Sequence, residues 1–172
     1  MAPSSETTPL TAIVNGLVAG AVGTAAMTAA QEASAGLMSS GEQNGSQSQP
    51  SDPWEQASTP AKVGKRILEG IFHQQVSEDQ IPRLTNIMHW AYGTSWGAAY
   101  GVLAGSLRHR RPVRRGLLFG TAVWLMSYFE LVPMGLYEPP WSYPPQQLGL
   151  ELGYHLVYGA GAALGYTALE RL

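Results

Sequence analysis

The chain has 172 residues, enough for one domain, and a formal net charge of −2. Only 13% of its residues are charged, about half of the ~25% that is usual in soluble proteins, which argues against a domain with an ordinary water-facing surface. It contains no cysteine, which excludes disulfides, thiolate metal sites and cysteine nucleophiles.

The charged residues are also unevenly distributed along the chain. Four stretches lack them, namely those between Glu6 and Glu32, between Arg83 and Arg108, between Arg115 and Glu130, and between Glu151 and Glu170. Long uncharged stretches rich in apolar residues are typical of helices that cross a bilayer. We therefore predict an all-α protein, a four-helix transmembrane bundle with a disordered polar linker and one amphipathic interfacial helix.

The first predicted transmembrane helix spans 10–32 and follows an N-terminal tail over 1–9. Gly16 and Gly20 form a small-xxx-small pair, which favours close packing against another helix. The tail has no Lys or Arg, which an n-region of a signal peptide would have. We therefore expect helix 1 to be retained rather than cleaved.

The next two segments differ in composition from the apolar spans. Residues 33–60 are polar without an apolar period, and this predicts a flexible linker. Over 61–83, apolar residues such as Val63 and Ile67 recur at helical spacing opposite Lys62 and Lys65. Such a helix either lies on the membrane surface, as in our predicted fold, or packs on the protein itself.

The second predicted transmembrane helix spans 84–107 and contains four glycines at intervals of four residues: Gly93, Gly97, Gly101 and Gly105. In a soluble helix each would cost about 1 kcal/mol relative to alanine. Together with Gly16 and Gly20 they indicate faces for close helix packing, within the bundle, in a homo-oligomer or with another membrane protein.

The basic loop over 108–115 contains Arg108, Arg110, Arg111, Arg114 and Arg115. It is too short to form a groove-reading element, so we expect lipid headgroups rather than nucleic acid as its partner. Because basic loops stay cytoplasmic, we predict a multi-pass protein of the cell membrane with both termini in the cytoplasm. The third and fourth helices are predicted over 116–133 and 148–172, joined by a proline- and aromatic-rich loop over 134–147.

Four ionisable residues are predicted to lie at similar depth near the outer end of the bundle. They are His89, Glu130, Glu151 and His155. Glu151 and His155 are four residues apart and so share one helix face. We predict that this pair faces the interior and shares a hydrogen-bond network with at least one of the other two. Tyrosines on the same helices can hydrogen-bond across the bundle, namely Tyr128, Tyr154, Tyr158 and Tyr166.

Three interpretations of these residues stay open: separate interfacial side chains, a proton or ion network, and a metal or haem site. Phosphate-loop, dinucleotide, hydrolase and zinc-protease motifs are missing from the sequence. This favours a role without catalysis, and we assign no metal and expect no cofactor. The predicted function is that of a small multi-pass membrane protein with a structural or stress-related role. The alternatives are a component of a proton or ion pathway and a metal- or haem-binding membrane enzyme.

Three short motifs resemble the YagU-like small bacterial inner-membrane proteins. They are Gly-Thr-Ala-Ala-Met-Thr at 23–28, Met-His-Trp-Ala-Tyr-Gly at 88–93 and His-Leu-Val-Tyr-Gly at 155–159. The resemblance covers the four spans and not the polar linker. It implies a multi-pass bacterial membrane protein with a loose link to acid tolerance, and it transfers no catalytic residue.

Overall fold

The computed structural model of the protein describes residues 8–39, 52–105 and 111–171. Within these ranges the chain forms α-helices and short 3₁₀ turns and contains no strand, so the all-α prediction is confirmed. The helices are α1 (Pro9–Ser39), α2 (Pro53–Gln56), α3 (Thr59–Gly70), α4 (Ile81–Gly105), α5 (Pro112–Leu131) and α6 (Pro145–Leu169). The 3₁₀ turns cover Glu78–Gln80 and Pro140–Ser142.

The helix starts follow ordinary capping chemistry. Proline occupies the first turn of α5 and α6, where its missing N–H has no intrahelical acceptor in any case. The Asp52 carboxylate accepts a hydrogen bond from the backbone N–H of Trp54 at 2.8 Å and begins α2. Ser58 caps α3 in the same way.

The flexible linker predicted for 33–60 is wrong at both ends. Helix α1 continues through Ser39, and Trp54 in α2 is buried against Ala57 and Ala61. The middle of that linker lies outside the described residues, as do most of the predicted N-terminal tail and much of the basic loop.

The amphipathic segment is shorter than predicted and packs on the protein. Instead of one element over 61–83, the structure has α3 ending at Gly70. A Cβ atom at Gly64 would lie 3.0 Å from Met88 and 3.3 Å from Leu84, so α3 runs directly against α4. Of the two interpretations given above, the structure therefore supports packing on the protein itself. Ile71 and Phe72, which follow α3, are exposed.

The glycines of α1 and α4 allow these two helices to touch through their backbones. A Cβ atom at Gly97 would overlap Cα of Gly20 and the carbonyl oxygen of Gly16. A Cβ atom at Gly101 would overlap the carbonyl oxygen of Ala12, and one at Gly105 would approach the Ala12 methyl at 3.3 Å. The predicted stripe therefore faces α1 of the same chain. Its use in an oligomer or a complex stays a prediction.

Two more glycine contacts complete the bundle. Between α5 and α6, Gly116 and Gly159 approach each other's carbonyl oxygens. Between α1 and α6, a Cβ atom at Gly161 would lie 3.2 Å from Cα of Gly23. Helix α4 meets α5 differently, through ring contacts such as Tyr100 with Phe119 at 5.0 Å between centroids. The long helices thus pack in the order α4–α1–α6–α5.

The interior of the bundle is built from small and aromatic side chains. Its main buried cluster consists of Ala19, Tyr100, Ala104, Phe119, Val123, Tyr158, Ala163 and Tyr166. Most of the larger aliphatic side chains of the long helices instead point outward, for example Leu118 at 63% exposure, as does the aromatic ring of Phe129 at 76%. The outer surface of the long helices is therefore largely aliphatic.

By length and composition, one described helix, α1, qualifies as a membrane span, with a mean hydropathy of 1.6 over its most apolar window. The other long helices contain glycine, tyrosine, tryptophan and histidine, which lower mean hydropathy. Hydropathy therefore supports one candidate transmembrane helix among the described residues and does not by itself establish the predicted four.

We predict that Gly97→Ala lowers the thermal stability of the protein, because the new methyl group meets the backbone of α1, which cannot rotate away. Overpacking of this kind costs about 1–3 kcal/mol. Gly153→Ala is the matched control, since the position is also helical but has open space around it. It should leave the melting temperature unchanged or raise it, because alanine is the better helix former.

Melting curves of the two purified variants in one detergent make this comparison. Equal melting temperatures for Gly97→Ala and wild type would show that the α1–α4 contact does not hold the bundle together. Gly97→Leu should give a still larger loss.

Candidate functional site

A cavity of about 380 Å³ lies at one end of the bundle and is lined by residues from all four long helices. Its floor consists of Trp96, Val123 and Tyr158, which also pack in or against the main core. Its roof consists of residues from α3 and from the loop that follows α5, namely Thr59, Pro60, Val63, Met134 and Tyr137. The cavity is therefore closed toward the opposite end of the bundle.

Each long helix contributes one face to the cavity. On α4 and α6, the residues of this face recur at helical intervals in the sequence. On α4 the lining residues are Met88 and the set His89, Tyr92, Gly93 and Trp96, and on α6 they are Glu151, Tyr154, His155 and Tyr158. Both sets follow the spacing i, i+3, i+4, i+7, which aligns side chains on one side of a helix. Helix α5 adds Val123, Ser127, Glu130 and Leu131, and α1 adds Thr24, Met27 and Gln31.

Each of the two carboxylates accepts a hydrogen bond from a tyrosine. The Tyr92 hydroxyl on α4 donates to Glu130 Oε2 on α5 at 2.9 Å. The Tyr128 hydroxyl on α5 donates to Glu151 Oε2 on α6 at 2.8 Å, and Gln147 donates to the other oxygen at 3.2 Å. The tyrosines thereby join neighbouring helices through the predicted acidic residues.

The two histidines bond to groups other than these carboxylates. His155 Nδ1 lies 2.8 Å from the backbone carbonyl oxygen of Glu151. A carbonyl only accepts, so Nδ1 carries the hydrogen and the neutral ring keeps a lone pair on Nε2. His89 Nε2 lies 3.3 Å from the Thr28 hydroxyl on α1.

Two more tyrosines cross between helices at the cavity wall. The Tyr158 hydroxyl donates to the backbone carbonyl of Gly93 at 2.7 Å. That carbonyl belongs to a helix, so Tyr158 adds a second bond to an already satisfied acceptor. The Tyr154 hydroxyl bonds to Ser34 on α1.

All four predicted site residues line this one cavity. The predicted side-chain network is nevertheless absent from the hydrogen bonds of the described residues. Among the described residues, the hydrogen bond between Glu151 and His155 runs through the Glu151 backbone carbonyl, and the two carboxylates accept from Tyr92 and Tyr128. No group of three His, Asp or Glu in the described part of the chain has the arrangement of a metal site.

Sequence reasoning missed several contributors to the site. It gave Tyr92 no part in the site, although the residue is three positions from His89 on the same helix face. The roof residues of α3 carry no chemical signal in the sequence, and only tertiary packing places them over the cavity.

The roof includes a partly buried tyrosine, Tyr137. Burial and the nearby charge of Glu151 raise the pKa of the Tyr137 hydroxyl above its ordinary value. Its ring packs against those of Tyr128 and Tyr143 at 5.3 Å and 6.4 Å between centroids. The hydroxyl therefore remains a hydrogen-bond donor far above neutral pH.

The predicted headgroup arginines that the structure describes, Arg111, Arg114 and Arg115, lie at the other end of the bundle from the cavity. Arg111 precedes α5 with a φ of 80°, and Arg114 and Arg115 lie in its first turn, where Arg114 is exposed. Arg108 and Arg110 lie outside the described residues.

Comparison of the chain with protein-family models, with curated proteins and with solved structures gave no match. The resemblance to YagU-like proteins therefore rests on the three short motifs and stays a prediction.

We predict an interaction energy between Tyr128 and Glu151 in a double-mutant cycle. Tyr128→Phe removes the hydroxyl donor from a carboxylate, and a hydrogen bond to a charged group contributes about 1.5–3 kcal/mol. Glu151→Gln alone should cost less, since its amide oxygen still accepts from Tyr128. Unfolding of the single and double variants in detergent measures the coupling.

Tyr143→Phe is the control in this cycle, because the Tyr143 hydroxyl accepts from the Glu138 backbone N–H at an exposed site. Because the amide of Glu151→Gln still accepts from Tyr128, additive effects of the two substitutions would show that the charge of Glu151 adds nothing to this hydrogen bond.

Proposed function

We propose that the protein is a multi-pass membrane protein that binds a small molecule in the cavity at one end of its helical bundle. The membrane part of this proposal is supported by the distribution of side chains. Small and aromatic residues lie inside, and large aliphatic ones cover the outer faces of α1, α4, α5 and α6. Covering one such side chain stabilises a protein by about 1.5–3 kcal/mol, and a bilayer would cover many of them.

The lengths and the polar groups of the helices agree with a bilayer. Helices α4 and α6 have 25 residues each, which at ~1.5 Å per residue exceeds the ~30 Å hydrocarbon thickness. Hydroxyls in the spans bond to carbonyls of their own helix, as Thr121 does to Leu117 and Thr167 to Ala163. Such bonds satisfy polar groups where water is absent.

The arginines that precede and begin α5 support a cytoplasmic location for that end of the bundle. The start of α1 and the end of α6 lie at the same end, since Ala12 and the Tyr166 hydroxyl both approach Gly105. In this orientation the termini are cytoplasmic and the cavity faces the outside of the cell membrane.

One observation supports a binding function. His89, Glu130, Glu151 and His155 all line one cavity, whose floor is closed by core side chains. Its volume falls in the range of ligand sites, about 300–1,000 Å³. A purely structural role would not require this arrangement. A proton pathway needs titratable groups that continue across the bundle, whereas the floor consists of Trp96, Val123 and Tyr158. A metal or haem enzyme gains no support from the donor geometry.

The membrane topology is testable with single cysteines, because the natural chain has none. Trp141→Cys lies at the cavity end, where Trp141 is 84% exposed, and Arg171→Cys lies at the other end. We predict that a membrane-impermeant maleimide labels the first variant on intact cells and the second only after lysis. Labelling of both from one side, or a protein soluble without detergent, would contradict the proposal.

A second pair of cysteines separates the cavity from the lipid-facing surface. Ser127→Cys lines the cavity, and Leu125→Cys lies on the outer face of the same helix, where Leu125 is 56% exposed. A small methanethiosulfonate reagent needs a thiolate and therefore water. We predict reaction at position 127 and protection at position 125 in membranes.

The opposite result, rapid reaction at position 125, would show that the outer face is in water. Denatured samples of both variants provide the control for total thiol content.

A further inference from the structure

We propose that the ligand of this cavity is a small organic cation, such as an alkylammonium or quaternary ammonium compound. The inference rests on the proposed binding function and specifies the chemical class of the ligand. Three features of the cavity support it: the sign of its charges, its aromatic walls and the engagement of the nearby basic groups.

The lining contains two carboxylates, Glu130 and Glu151, and no Lys or Arg. Two like charges close to an apolar interior are costly without a counter-ion. A carboxylate has about four acceptor sites, of which the hydrogen bonds of the described residues use one on Glu130 and two on Glu151. Both groups therefore retain capacity to face a bound cation.

The charged groups nearby are engaged elsewhere. The two histidines bond to a backbone carbonyl and to a threonine, so neither neutralises a carboxylate directly. On α3, above the cavity, Lys62 donates to the Glu55 carbonyl at 2.9 Å, and Arg66 donates to the Met134 carbonyl. Lys65 lies 4.4 Å from the centre of the Trp54 ring. These three basic side chains keep their charge, but their partners hold them outside the cavity lining, so the lining itself has a negative formal charge that a ligand can balance.

The walls suit an organic cation better than a hydrated metal ion. Five aromatic side chains line the cavity, among them Trp96, Tyr154 and Tyr158. Aromatic faces attract ammonium groups and also contact their methyl or alkyl substituents. A hydrated ion would gain little from these faces, and an anion would be repelled by both carboxylates.

Ligand-induced stabilisation of the purified protein tests this inference. The probes are choline, its neutral carbon analogue 3,3-dimethylbutan-1-ol, and the larger cation benzyltrimethylammonium. The protein is kept in a nonionic detergent, because phosphocholine detergents would compete. We expect at least one cation to raise the melting temperature, and choline to bind at least about tenfold more tightly than its analogue, or ~1.4 kcal/mol.

Substitutions in and outside the cavity locate the binding site, and a folding check separates loss of binding from misfolding. Glu130→Gln and Glu151→Gln keep an acceptor for their tyrosines and should each weaken cation binding by about tenfold or more, or ~1.4 kcal/mol. Glu138→Gln, which removes an exposed carboxylate outside the cavity, should bind like wild type. The melting temperature without ligand shows whether each variant is folded.

Equal affinity for choline and the neutral analogue would overturn the cation inference and leave the proposed binding cavity intact. Absence of stabilisation by both cations would also overturn it. Failure of the membrane proposal would appear separately, in the cysteine labelling.

Discussion

The fold depends on close backbone contact at glycine residues. Where Gly16 and Gly20 meet Gly97, and where Gly116 meets Gly159, a single methyl group would overlap the backbone of the neighbouring helix. These contacts bring α1 against α4 and α5 against α6. Helices α4 and α5 are held apart by aromatic rings instead. The unequal spacing leaves the cavity between side chains of all four helices, so the packing and the site share one cause.

Tyrosine hydroxyls form several of the hydrogen bonds between the helices of this bundle. Its ring fills the interior beside glycine and alanine, while its hydroxyl reaches a carboxylate or a carbonyl on another helix. In an apolar surrounding, such a hydrogen bond prevents an unsatisfied polar group, which would be costly. The same side chains therefore position Glu130 and Glu151 and form part of the cavity wall.

Much of the fold and of the site follows from the sequence. Gaps between charged residues predict the four long helices to within several residues at each end, and the four-residue spacing of glycines predicts the packing face of α4. The shared face of Glu151 and His155 follows from helix geometry. The hydrogen-bond partners do not, because they depend on the rotation of one helix against another. Helix α2 was missed because Trp54 is an isolated apolar residue in a polar segment.

The position of α6 between α1 and α5 has a consequence for biosynthesis. Helix α1 contacts both α4 and α6, so its second interface, around Gly23, has no partner until the last helix of the bundle has been synthesised. The α1–α4 contact can therefore form before the α1–α6 contact, and the Gly23 face of α1 stays uncovered by α6 in the meantime. The long stretch of chain between α1 and α6 adds little to the entropy cost of bringing these helices together, because that cost grows slowly with length. Both contacts of α6, with α1 and with α5, can thus form only after the last helix of the bundle has been synthesised.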